Sequence, residues 1–258
     1  MYQGIFDSHA HYDDERFDCD RTELLASLPK NGVVGVIDVG CDIQTSRKAI
    51  ALTAQSNFFY AAVGYHPQQA ADFSETGFAE ITEMLSHEKV VALGEIGLDY
   101  HYDFSPKETQ IEVFDRQLQL AQNLDIPVII HTREATEDTL RLLSKYQLRG
   151  VVHCYTGSAE TAKMLLKMGY HIGFTGVITF QNARRVVEAC NMVPLDRILL
   201  ETDCPYMSPV PYRGQRNWSP MIEKTAERIA EIKEITPQKL IDIARENTKN
   251  LFSLNGAK

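Results

Sequence analysis

The chain has 258 residues, 44% of them hydrophobic and 24% charged, with 26 basic against 35 acidic side chains and a formal net charge of −9. Such a length buries a large core without covalent staples and suits one α/β barrel as well as two smaller domains. The acidic balance excludes a nonspecific nucleic-acid coat and a binder of anionic membranes, both of which need basic patches, but it leaves open a nucleic-acid substrate held through bound cations.

The opening MYQGIFDSHAH has no basic stretch followed by a long apolar run, so no signal peptide is expected. Nowhere do about 18 apolar residues follow one another, so no membrane span is expected. The cysteines (Cys19, Cys41, Cys154, Cys190 and Cys204) are odd in number and lack CxxC spacing, which points to reduced thiols in a cytoplasmic protein. No obligate protein partner is implied.

Along the chain, short β-branched apolar runs alternate with helical patterns. The runs are 4–11, 32–40, 58–66, 90–98, 126–132, 150–157, 170–178 and 197–205. They lie too far apart for hairpins and read as parallel strands buried on both faces. Helical periodicity falls at 20–29, 43–55, 78–87, 107–124, 134–146, 158–168, 182–191 and 218–234, and Thr236-Pro237 starts one more helix over 237–251. Eight β-then-α units predict a (β/α)8 TIM barrel, a single domain over residues 1–258 with an extra C-terminal helix.

Barrel chemistry sits at the C-terminal ends of the strands. The first run ends in His9 and His11, the third in His66 and the fifth in His131; the fourth carries Glu95, the sixth His153 and the eighth Asp203. Each alone reads equally well as a rim or core side chain. Together, neutral imidazoles and carboxylates on one rim are a ligand set for divalent metals. Six donors exceed the needs of one tetrahedral ion and suit two ions sharing a carboxylate and a hydroxide. Glu95, on the middle strand of the set, is the natural bridge. His9, His11 and Asp203 come from strands that adjoin on closure and would hold one ion, and His131 and His153 the other. Strand alternation turns Cys154 and Cys204 away from that point. Asp7 lies on the face of His9, deeper in the barrel, and is expected to support the site without touching metal. Asp99 is expected to orient a ligand histidine.

These residues stand in DSHAH, GYHP (64–67), GEIGLDY (94–100), HTRE (131–134), VVHCYTG (151–157) and ETDCPYMSPVPYRGQRN (201–217). Across essentially the whole chain this pattern resembles the TatD family of metal-dependent deoxyribonucleases, within the amidohydrolase-like metal-dependent hydrolases. The resemblance implies metal ligation by His9, His11, Glu95, His131, His153 and Asp203, a barrel, and cleavage of DNA phosphodiesters in the 3′→5′ direction. One departure is local: the family often has Glu-Pro after the residue matching Asn217, and here Trp218-Ser219-Pro220 follows.

Two divalent ions (Mg, Mn or Zn) would acidify a bridging water and neutralise a phosphate oxygen. Asp203, with a free oxygen near the bridge, is the expected proton acceptor. His66 is expected either to bond the phosphate or leaving group or to be structural. Arg133, two beyond His131, and Arg213 and Arg216 in the loop after the last run, are candidate phosphate contacts. The aromatics of that proline-rich loop could stack on bases or pack as a rigid lid. A recessed mouth suits single-stranded or frayed DNA ends. Two rival readings keep the same residues: a hydrolase of another ester, amide or lactone, and a metal-stabilised scaffold without turnover.

Overall fold

The computed structural model describes residues 2–254. Among them, eight strands alternate with helices in the order β1 (Ile5–Ala10), α1 (Arg21–Ser27), β2 (Val33–Val39), α2 (Ile43–Thr53), β3 (Phe59–Val63), α3 (Glu75–Met84), β4 (Val90–Asp99) and α4 (Lys107–Leu124). The second half continues with β5 (Val128–Arg133), α5 (Thr136–Leu143), β6 (Gly150–Val152), α6 (Ala159–Lys167), β7 (His171–Phe174), α7 (Arg184–Met192), β8 (Ile198–Leu200), α8 (Ile222–Ile232) and α9 (Pro237–Leu251). Every strand is parallel to its neighbour in sequence, in the order β1 to β8. Closure of the ring comes just beyond the end of β8. Ala10 bridges Cys204, the His11 amide donates to the Cys204 carbonyl at 2.8 Å, and the Asp203 amide to the His9 carbonyl at 2.9 Å. This is the TIM barrel, one domain, with its last helix packed on β1 and β8.

Two layers of apolar burial hold the barrel. Phe6, Ile37, Val39, Ala62, Ala92, Ile129, Val151 and Leu199 come from seven strands and meet one another, so they fill the interior. Leu93, Val113, Leu118, Leu165 and Ile229 join the strands to the surrounding helices. Each Val, Leu, Ile or Phe among them contributes about 1.5–3 kcal/mol when fully buried. Interior alternation therefore carries Ile129 upward to His131 and Arg133, Val151 to His153, and Leu199 to Glu201 and Asp203.

Local signals explain where helices begin. Asp42 and Thr45 form a reciprocal capping box for α2, and Ser158 and Thr236 cap α6 and α9 through the amides of Thr161 and Lys239. α3 starts three residues before the expected 78 because Ser74 accepts the Gly77 amide. The expected helix 134–146 begins only at Thr136, since Glu134 is left-handed at φ 53°. The expected 218–234 helix divides into a 3-10 turn over Ser219–Met221 and α8. Among the described residues no helix is long and apolar enough to cross a membrane.

Candidate metal centre

β1 makes two register shifts against β2, between Ile5 and Phe6 and between Asp7 and Ala10, so simple alternation does not govern its end. His9 lies in the strand and His11 one residue past it, yet their Nε2 atoms approach to 3.1 Å. His66 caps the 3-10 turn after β3, His153 follows β6 directly, and Asp203 sits three residues past β8 in the left-handed region at φ 57°. β5 stays regular through Arg133, with His131 on its interior face.

These side chains converge on Glu95, which is buried on β4. Its Oε1 lies 2.7 Å from His131 Nδ1, 2.7 Å from His153 Nε2 and 3.5 Å from His66 Nε2. Its Oε2 lies 3.3 Å from His9 Nε2 and 3.8 Å from His11 Nε2. Asp203 Oδ1 stands 3.4 Å from His11 Nε2 and 3.8 Å from His9 Nε2. One carboxylate thus faces two histidine sets with two different oxygens. The sets touch, since the His9 and His153 rings stack at 3.9 Å.

Outer partners fix which nitrogen faces inward. A carbonyl or carboxylate only accepts, so the ring hydrogen of His11 lies on Nδ1 toward the Val39 carbonyl at 2.8 Å, and that of His131 on Nε2 toward Asp99 Oδ2 at 3.2 Å. Without a cation the inward nitrogens face Asp203 and Glu95 as donors; once deprotonated, each would present a lone pair, the form a metal ligand requires. His66 is the reverse: its Nδ1 accepts the Gln68 amide at 3.1 Å, leaving an Nε2–H donor aimed at Glu95.

The electrostatics divide in the same way. Burial pushes the Glu95 carboxyl up, but the neighbouring His153 and His66 imidazoles and hydrogen bonds from His131 and His153 outweigh it and hold it well below the carboxylate range. Burial likewise opposes ionisation of Asp203, and its hydrogen bond with His11 prevails and lowers it. Burial lowers His9 to about 4 and His66 to about 3. His11 and His131 are raised against burial to about 10 and about 9, by Asp203 and by Asp99 with Glu95 respectively. His153 is raised as well, by Glu95, so raised histidines stand on both sides of that carboxylate. Four groups of donors lie within 4.8 Å of one another: His9–His11–Asp203, His9–Glu95–His153, His66–Glu95–His131 and His11–Cys41–Glu95. Converging imidazole nitrogens, buried carboxylates and two centres of demand for positive charge fit divalent cations.

Around this set, Asp7 keeps away from the converging atoms. Its Oδ1 accepts the Thr202 amide at 3.0 Å, and its Oδ2 accepts the Thr202 and Ser219 hydroxyls at 2.6 and 2.7 Å, fastening β1 to the segment after β8. Burial raises it to about 6. Glu201, passed over in the sequence although it stands two before Asp203 on the interior face, is fully buried beside His153 Nδ1 at 3.7 Å and accepts the Cys154 amide. Burial lifts its carboxyl to about 8. Gly173 makes room for it, because any Cβ there would run into that carboxylate. Cys41, two beyond Val39, was also missed; its thiol, not those of Cys154 or Cys204, joins a donor group.

The structure does not bring the loop arginines to the cluster. Arg216 pairs with Asp20 at 2.8 Å and stacks on Phe17, and Arg213 lies 3.8 Å over the Phe180 ring and donates to the Ser208 carbonyl. Both satisfy themselves on local partners. Arg133 is exposed at the mouth, its guanidinium 4.9 Å over the Tyr102 ring.

A family model described as TatD related DNase matches residues 6–253. The chain belongs to the TatD family. It is 43% identical over 254 residues to the uncharacterized metal-dependent hydrolase YabD of Bacillus subtilis, covering 97% of this chain and 100% of that one. The 3'-5' ssDNA/RNA exonuclease TatD of Rahnella is 32% identical, covering 98% and 100%. The solved structure of YJJV, a TatD homologue from Escherichia coli, superposes with a TM-score of 0.91 at 30% identity over 98% of this chain and 99% of that one. This TatD-family chain is a metal-dependent hydrolase acting on ester bonds.

Proposed function

We propose that the chain is a divalent-metal-dependent nuclease that shortens single-stranded or frayed DNA from its 3′ end, using two ions, Mg, Mn or Zn. The observation that carries this reading is Glu95, whose two oxygens face separate histidine sets. The exonuclease named among the relatives supplies the substrate class. His9, His11 and Asp203 would hold one ion and His131 and His153 the other, with Glu95 shared. When bound, such ions lower the pKa of a water and offset charge on a phosphate.

The chain's own groups do the rest. Asp203, kept ionised, takes up the proton released as water adds to phosphorus. His66, neutral because burial lowers it, donates from Nε2 to a phosphoryl or leaving oxygen. Asp99 holds His131 in the tautomer that leaves Nδ1 free. A 5′-labelled single strand should shorten stepwise from its 3′ end on addition of Mg²⁺ or Mn²⁺, with EDTA stopping the reaction and closed circular duplex spared. Cutting of the closed circle as readily as of the single strand would contradict the preference for ends.

A further inference from the structure

Beside the cluster, the loop after β4 carries an aromatic group that the chemistry leaves unused. Phe104, 65% exposed, and Tyr102, 42% exposed, stack with ring centroids 5.5 Å apart and planes 25° from parallel. Phe104 is the most exposed large hydrophobic side chain among the described residues. Single exposed apolar residues need no explanation, but two stacked rings with a guanidinium over one of them form a prepared surface. His101 meets Tyr102 edge-on and is held by Glu134 at 2.6 Å.

The stack is tied to the candidate metal centre through one carboxylate. Asp99 Oδ1 accepts the amides of His101 at 2.9 Å and Tyr102 at 3.4 Å, while its Oδ2 faces His131 Nε2 at 3.2 Å. Arg133 continues the strand of His131, two residues or about 7 Å toward solvent. The loop after β8, the other aromatic segment at the rim, offers less. Trp218 packs against the core, and Tyr206 is occupied by Arg16 over its ring and Asp14 at its hydroxyl.

We infer that Tyr102 and Phe104, steadied by Arg133, form a stacking platform for unpaired bases of a single-stranded nucleic acid whose end lies in the Glu95 cluster. The inference rests on the nuclease reading above and names how that substrate is gripped. A chain of net charge −9 gains little from phosphates along its surface, so affinity must come from base faces. Bases stacked inside a duplex are not available to the platform, which favours single strands.

The test is hydrolysis of single-stranded DNA and RNA oligonucleotides, and of matching strands with abasic sites near the 3′ end, by wild type, Phe104→Leu, Phe104→Trp and Tyr102→Ala/Phe104→Ala. Stacking is worth about 1–3 kcal/mol per base, so the double variant should raise KM about 10-fold or more, with kcat reduced no more than about twofold. Phe104→Leu should raise KM and Phe104→Trp preserve it. Abasic strands should penalise wild type but not the double variant. Unchanged KM in the double variant, or equal abasic penalties in both, would overturn the platform while leaving the nuclease reading intact. If wild type cleaves neither nucleic acid, the nuclease reading falls. Fluorescence anisotropy of the same strands in Mg²⁺ then decides the platform: weaker binding by the double variant upholds it, and equal binding overturns it. The rings are exposed, so melting temperatures should match throughout.

Discussion

Buried histidines occupy both ends of the barrel, in very different company. At the start of β7, His171 is buried with its Nδ1 unpartnered, and burial, with Arg197 nearby, lowers it to about 4. At the mouth, His9, His11, His66, His131 and His153 gather within reach of Glu95, and three of them, His11, His131 and His153, are raised instead. The same side chain in the same parallel sheet is a neutral packing element at one end and a candidate ligand at the other. The difference lies in convergence on buried carboxylates at the C-terminal strand ends, the face on which barrel active sites are built.

The largest loss is expected at Glu95. Glu95→Gln keeps the shape but removes the shared charge, and hydrolysis should fall at least about 10³-fold with loss of bound metal by elemental analysis. Turnover close to wild type would remove Glu95 from the chemistry. A smaller effect is expected from His66→Leu, which loses the Nε2 donor and leaves the other donors in place: about 10²-fold in kcat with metal content unchanged. If metal content fell with activity, His66 would be a ligand and not a donor to substrate.

The opposite end should show in stability alone. His171 sits at about 4 folded against an ordinary 6.5, so between these values the unfolded chain binds a proton that the native chain does not. Its contribution is complete above about pH 6.5 and is lost as pH falls toward 4. Urea unfolding at pH 7 and pH 5 should therefore show His171→Leu losing about 2 kcal/mol less than wild type over that interval. Hydrolysis by the variant at pH 7 should stay within about twofold of wild type. An identical pH slope in both proteins would mean that His171 is not held neutral.

The frame was legible where local chemistry is strong. Lys107–Leu124 and Pro237–Leu251 begin where Pro106 and the Thr236-Pro237 pair place them, and regular β5 makes the shared face of His131 and Arg133 readable from alternation. Elsewhere, three dimensions intervene. The bulged end of β1 brings His9 and His11 together by a route that alternation does not describe. Asp203 was readable at the end of its run, but Glu201, one residue past a strand of only three, was not, because nothing local marks it as interior. Arg216 looked free because its partner, Asp20, lies at the other end of the chain. The aromatic stack at Tyr102 and Phe104 went unseen for a similar reason, since only the fold sets Arg133 over it.

Anomalous diffraction from crystals soaked in Mn²⁺ tests the central claim most directly. Two peaks are expected inside the barrel mouth, one beside His9, His11 and Asp203 and one beside His131 and His153, with Glu95 between them. Crystals whose only manganese lies outside this cluster would contradict it.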